Sequence, residues 1–120
     1  MHELSIAQHI VEIVQQYVDP VNVKNVAAIR LKVGAVAGVV ADSLEFSFHA
    51  ITADTPLMKA RLEIEHVPFR IECSICGVVS ENETGIIVCD SCGSPDAKVL
   101  SGAELEMTEI EILEAVQVVT

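Results

Sequence analysis

Four cysteines, the only ones in the chain, stand as two pairs, Cys73-Ser74-Ile75-Cys76 and Cys89-Asp90-Ser91-Cys92. Twelve residues separate the pairs, and a glycine follows each at once, Gly77 and Gly93. Two residues between thiols let both sulfurs of a pair face one ion. A glycine allows positive φ, which turns the next backbone N–H groups back toward the sulfurs. Two such knuckles joined by a short hairpin make a closed tetrahedral site suited to Zn²⁺. A redox dithiol fits less well, because both pairs occur together, each with its glycine, and two disulfides belong to an oxidising compartment. Spacing does not separate zinc from iron on the same four sulfurs.

A second set of donors opens the chain, Met1-His2-Glu3. A free α-amine, the amide nitrogen of residue 2 and the Nδ1 of His2 can chelate one ion in a plane, through fused five- and six-membered rings. Glu3 can add its backbone amide or its carboxylate as a fourth donor. Nitrogen-rich planar sets favour Ni²⁺ or Cu²⁺ over tetrahedral Zn²⁺. By chemistry alone this signal is weak, since a histidine at position 2 is usually a surface residue. The remaining histidines, His9, His49 and His66, read as surface groups rather than ligands. His66, seven residues before Cys73, has the nearest claim to sensing the cysteine site.

Composition narrows the partners. Seven Lys and Arg stand against 18 Asp and Glu, a formal charge of −11, and the basic residues are scattered along the chain. Nucleic acid binding needs clustered cations that release counterions, so the chain reads as one that does not bind nucleic acid. Cations and basic protein surfaces are the natural partners. No apolar run reaches membrane-spanning length and residues 1–18 lack a basic n-region, so the expectation is a cytoplasmic protein with reduced thiols. No Ser/His/Asp or Cys/His constellation appears, and a closed zinc site leaves no position for water, so an enzyme is not expected.

These groups must be positioned by a small scaffold. Ser5 and Gln8 form a capping box that predicts a helix start just after the N-terminus. Ile6, Ala7, Ile10, Val11, Ile13, Val14, Tyr17 and Val18 make its apolar stripe, and Asp19-Pro20 ends it. Val26 to Val33 alternates as a half-buried strand with Ile29, Leu31 and Val33 inward. Gly34 to Gly38 is a small-residue loop that permits close backbone approach. Asp42 and Glu45 predict a second helix start, and apolar residues on two faces (Leu44, Phe48, Ile51 and Phe46, Ala50, Ala53) predict that this helix is covered on both sides. Only a narrow stripe of Glu45, His49 and Thr52 is polar, and Glu45 and His49 read as a surface pair. Ala60 to Val67 is a second strand, ended by Pro68. A last strand, Glu104 to Leu113, changes its apolar phase at Thr108-Glu109, which predicts a bulge or bend. Ala115–Thr120 is either a tail or an extra edge pairing.

The layout is a small mixed α/β sheet with two helices and an inserted zinc-ribbon-like module. It assigns residues 1–68 and 103–120 to an α/β domain and 69–102 to the insert. An insert of that size buries little apolar surface and needs its metal to fold.

With these residues in place, the chain resembles the HypA/HybF hydrogenase-maturation family. The resemblance rests on Met1-His2-Glu3-Leu4-Ser5, Val33-Gly34-Ala35-Val36-Ala37-Gly38-Val39-Val40, Ser43-Leu44-Glu45-Phe46-Ser47-Phe48, the two Cys-x-x-Cys pairs and Ser101-Gly102-Ala103-Glu104-Leu105. It departs from the family's pattern at Ala37, Ala41 and Val78-Val79, none of them a proposed ligand. The resemblance implies a nickel metallochaperone that binds transported Ni²⁺ through His2, with Met1 and Glu3 as helpers. It also implies a structural Zn²⁺ on Cys73, Cys76, Cys89 and Cys92. The implied partners are a maturation GTPase of the same pathway and the large subunit of [NiFe]-hydrogenase, and some members also serve urease. The alternative reading is a zinc-ribbon interaction or adaptor module that transports no metal.

Overall fold

The computed structural model describes residues 3–113 and 115–118. It contains helices α1 (Glu3–Tyr17) and α2 (Ala41–Thr52) and a short 3₁₀ helix (Pro20–Asn25). The strands are β1 (Val26–Gly34), β2 (Arg61–Val67), β3 (Phe69–Cys73), β4 (Val79–Asn82), β5 (Ala97–Ser101), β6 (Leu105–Ile112) and β7 (Ala115–Val118). They make a four-stranded sheet of order β2-β1-β6-β7 and a three-stranded sheet of order β4-β3-β5. The small mixed α/β class expected from the sequence is therefore the one observed. The chain forms two compact units, one of Met1–Leu31, Val39–Glu65 and Glu106–Thr120, the other of Lys32–Gly38 and His66–Leu105.

In the first unit, α1 packs against α2. Ile6, Ala7, Ile10 and Val14 are buried along one line of α1, as the periodicity requires, and Val18 just beyond it is buried too. Two expectations are corrected here. The helix already includes Glu3, ahead of the predicted start at Ser5, and an acidic residue in a first turn suits the positive end of the helix dipole. Tyr17, placed in the apolar stripe, is exposed; it is the last helical residue, and Val18 beside it takes the buried position.

The start of α2 departs further. Its N-cap is Val40, with extended backbone and no side-chain cap, while Asp42 lies inside the first turn. Glu3 supplies the missing acceptor, its Oε2 receiving the Val40 N–H at 3.1 Å. A long-range carboxylate thus replaces the local box at the positive end of α2. Nor is α2 covered on both sides. Leu44 and Phe48 are buried, but Phe46 is 76% exposed. Thr52, read as polar surface, is buried because its hydroxyl donates to the Phe48 carbonyl at 2.8 Å.

In β1, Ile29, Leu31 and Val33 are buried as expected, and Ala28 is buried on the opposite phase. That phase also carries Arg30, which binds Glu63 at 2.9 Å, Glu109 at 3.6 Å and Glu111. Glu111 foremost, and Glu63 with it, raise the Arg30 guanidinium above its ordinary value against the cost of burial. In β6, Met107 and Ile110 are both buried although three residues apart, so the inward phase does change across Thr108-Glu109. β7 pairs antiparallel with β6, from Glu109 opposite Val118 to Ile112 opposite Ala115, so residues 115–118 form an edge pairing.

The small-residue loop belongs to the second unit and does allow close approach. Gly34 N–H donates to the Glu104 carbonyl at 2.7 Å and Val36 N–H to the Gly102 carbonyl at 2.8 Å. A Cβ on Gly34 would lie 2.0 Å from the Gly102 oxygen. No rotamer relieves a clash between Cβ and backbone, so Gly34→Ala is expected to cost about 3 kcal/mol, the upper range for overpacking. Urea denaturation measures it. A variant as stable as the parent would mean that this crossing gives way freely.

Candidate metal centre

Each knuckle is built by its own backbone. In the first, Ile75 and Cys76 N–H groups point at the Cys73 sulfur, at 3.3 and 3.5 Å, and Gly77 N–H returns to the Cys73 carbonyl at 3.0 Å. In the second, Ser91 and Cys92 N–H groups point at the Cys89 sulfur, both at 3.4 Å, and Gly93 N–H returns to the Cys89 carbonyl at 2.9 Å. Gly77 and Gly93 adopt φ of 78° and 75°, the left-handed turn that the sequence assigned to them. β3 carries Cys73 into the first knuckle. The second is anchored by Ser80, a buried β4 residue whose Oγ accepts the Asp90 N–H at 3.0 Å.

The four sulfurs lie within 4.8 Å of one another. Cys73 and Cys92 sulfurs are 3.6 Å apart and Cys76 and Cys89 sulfurs 3.5 Å, far beyond disulfide bonding. A tetrahedron with metal–sulfur bonds of about 2.3 Å has edges of about 3.8 Å. The residues therefore fit one tetrahedral ion. Cys73 and Cys89 are buried, whereas Cys76 and Cys92 are exposed.

Electrostatics splits the thiols by position in the knuckle. The Cys76 N–H, then that of Ile75, holds Cys73 below its ordinary value. The Cys92 N–H, helped by that of Ser91 and opposed by burial, brings Cys89 down to about 6. The Val78 N–H pulls Cys76 down, but Cys89, burial and Cys73 outweigh it and leave Cys76 raised. The Ser94 N–H acts likewise on Cys92, which Cys73, burial and Cys89 nonetheless push up to about 11. The hydrogen bond between the first cysteine of one knuckle and the second of the other thus keeps the proton on that second sulfur.

The other sequence candidates fall elsewhere. Glu3 holds the start of α2, as described; Met1 and His2 lie outside the described residues. His9 is a surface residue, 3.5 Å from Glu12. His49 is exposed and makes an edge contact with the Phe48 ring at 5.8 Å, rather than pairing with Glu45. His66 is exposed and not part of the four-sulfur group. Sequence reasoning missed Ser80 and also Asn82, whose Oδ1 accepts the N–H groups of Thr84, Gly85 and Ile86. The Asn-x-Thr-Gly string was the available signal for that Asx turn between the knuckles. A cleft of about 430 Å³ in the first unit, lined among others by Val11, Val18, Val23, Ile51 and Leu57, offers no Cys, His or acidic ligand among the described residues.

Fold and site together define a small α/β protein with a four-cysteine metal-binding module. The family model described as hydrogenase/urease nickel incorporation, metallochaperone, HypA, matches residues 1–112. A hydrogenase maturation factor HypA of Geobacter metallireducens is 42% identical over 112 residues, covering 93% of this chain and 99% of the relative. One of Chloroflexus aggregans is 40% identical, covering 92% and 98%. The solution structure of the Ni metallochaperone HypA from Helicobacter pylori superposes with a TM-score of 0.61 at 19% identity, covering 94% of this chain and 98% of the other. A second HypA solution structure gives 0.65 at 19% identity, covering 96% and 98%. The two structures speak for the fold; the sequence matches carry the assignment. The chain belongs to the HypA family of hydrogenase-maturation metallochaperones, which is not an enzyme family. Membership implies work alongside other components of hydrogenase maturation. Among the described residues no helix is long and apolar enough to cross a membrane.

The thiol pattern sets a pH dependence. Near neutrality Cys92 and Cys76 hold protons that an incoming ion must displace, while Cys89 is already a thiolate. Those two protons alone should make apparent affinity at the four sulfurs fall by at least about a hundredfold per pH unit of acidification. Below about 6, protonation of Cys89 adds a further loss. Competition against a chromophoric chelator measures this slope, and a flat profile would contradict the proton assignment.

Proposed function

We propose that this chain is a non-enzymatic nickel carrier, with Ni²⁺ as its cargo and zinc as its structural ion. Nickel binds at Met1-His2-Glu3 through the α-amine, the residue 2 amide nitrogen and the His2 Nδ1, with Glu3 as helper. It passes by ligand exchange to the large subunit of [NiFe]-hydrogenase, in concert with the maturation GTPase, in the cytoplasm where the four thiols stay reduced. Zn²⁺ sits on Cys73, Cys76, Cys89 and Cys92.

The observation that carries this reading is the family match, which takes in the terminal motif and both cysteine pairs in one alignment. Chemistry supports the division of labour. Four thiolates around a tetrahedral ion leave no open position, so that site retains its metal. A short chelate of nitrogen donors ahead of a helix exchanges readily and prefers nickel by donor type. The Glu3 bond to Val40 ties the residue after His2 to the start of α2, so the chelate is held close to folded structure.

Two changes test the carrier. His2→Ala, or extension of the N-terminus by a tag, is expected to abolish tight Ni²⁺ binding in calorimetry while metal analysis still finds one zinc per chain. Nickel affinity that survives both changes would favour the adaptor reading, in which the zinc module alone does the work.

A further inference from the structure

The seven basic residues look scattered in the sequence, but the fold gathers three of them. Lys24, Lys59 and Arg61 line one cleft of about 240 Å³ in the first unit, together with Asn25 and Leu113 and, among the described residues, with no acidic residue in its lining. We propose that this cleft docks an acidic segment of a partner protein, one that alternates carboxylates with aliphatic side chains.

The cations stand on ordered backbone. Lys24 lies in the last turn of the 3₁₀ helix, and Leu113 N–H closes that side by donating to the Asn25 carbonyl at 3.0 Å. Lys59 sits in successive turns, with Met58 N–H on the Thr55 carbonyl at 3.1 Å and Ala60 N–H on the Leu57 carbonyl at 3.0 Å. Among the described residues neither Lys24 nor Lys59 has a carboxylate in ion-pair range. Arg61 does bind Glu63, through Nε at 3.2 Å and Nη2 at 3.0 Å. Glu63 is shared with Arg30, so it offsets only part of the local positive charge. The described side chains lining the cleft are thus positive in a chain of charge −11.

The chemistry around it selects the occupant. Leu113 lines the cleft and is 72% exposed, and Met58, beside Lys59 in sequence, is 54% exposed. Ammonium groups next to exposed aliphatics match a ligand that carries both carboxylates and apolar side chains. A nucleic acid would bring an extended polyanion against the remaining acidic surface. A free inorganic anion would find the carbonyl end of the 3₁₀ helix rather than a nest of N–H groups.

The test needs no nickel. Amide shifts of the zinc-loaded full chain are followed while a peptide of alternating glutamate and leucine is added, then its glutamine–leucine counterpart, then inorganic phosphate. The acidic peptide should move the amides of Asn25, Ala27, Lys59, Arg61 and Leu113. Binding should weaken about tenfold in the Lys24→Gln, Lys59→Gln double variant, from two exposed charge contacts. The Lys24→Arg, Lys59→Arg variant should retain it. Shifts confined to another surface, equal binding of the glutamine peptide, an unaffected glutamine variant, or phosphate reproducing the shifts would each overturn the proposal.

Discussion

Four sulfur atoms within 4.8 Å of one another cannot all be thiolates without a cation among them. The second unit depends on that constraint. Its three-stranded sheet is only four or five residues long in each strand. Ile75, Ile86, Val88 and Leu100 remain exposed around it, while Phe69, Ile71, Cys73 and Cys89 are buried. Two cysteines thus belong to the small core itself, and their sulfurs are also the ligands that an ion must satisfy. Metal binding at these sulfurs therefore contributes folding free energy to the unit around them. The backbone prepares for the charge in advance, because each leading cysteine receives two N–H groups from its own knuckle. The metal needs to neutralise what those dipoles have already begun to stabilise.

The first unit meets the same problem of excess negative charge by a different device. Glu63, Glu109 and Glu111 share the sheet face with one guanidinium, Arg30, which lies within reach of all three. Arg61 extends the arrangement through the second oxygen of Glu63, and these two cations, Arg61 foremost, hold the Glu63 carboxyl below its ordinary range. The pairs are partly exposed, so they are best seen as relief of repulsion rather than as a large source of stability. Ala28 lies fully buried on the same phase of β1.

Much of this was legible in the sequence, and the failures share one cause. The stripe of α1, the alternation of β1 and the phase change in β6 are set by solvent on one side and core on the other, so a period of 3.6 or 2 reveals them. The local box at Asp42 misled because a helix start can be satisfied from far away, as Val40 is by Glu3. Thr52 misled because burial of a hydroxyl depends on whether the preceding turn offers a carbonyl, and Phe48 does. Phe46 misled in the other direction: two apolar faces on α2 imply two layers only if the chain supplies the second, and among the described residues Phe46 remains exposed.

The two clusters of this molecule show why some sites can be read from a sequence and others cannot. Cys73 and Cys76, like Cys89 and Cys92, are brought together by one local turn, so the motif itself carries the geometry and the glycine after it confirms the turn. Lys24, Lys59 and Arg61 meet only because the 3₁₀ helix, the turns after α2 and the start of β2 border one cleft. Nothing in the residues around each cation requires that meeting, and a net charge of −11 conceals it. Formal charge measures the far field that governs solubility and encounter; beyond a Debye length of about 8 Å in physiological salt, that sum decides little about a particular contact. At contact range the sign is set by the few groups that the fold places side by side, and here the fold places three cations on a surface whose total is strongly negative.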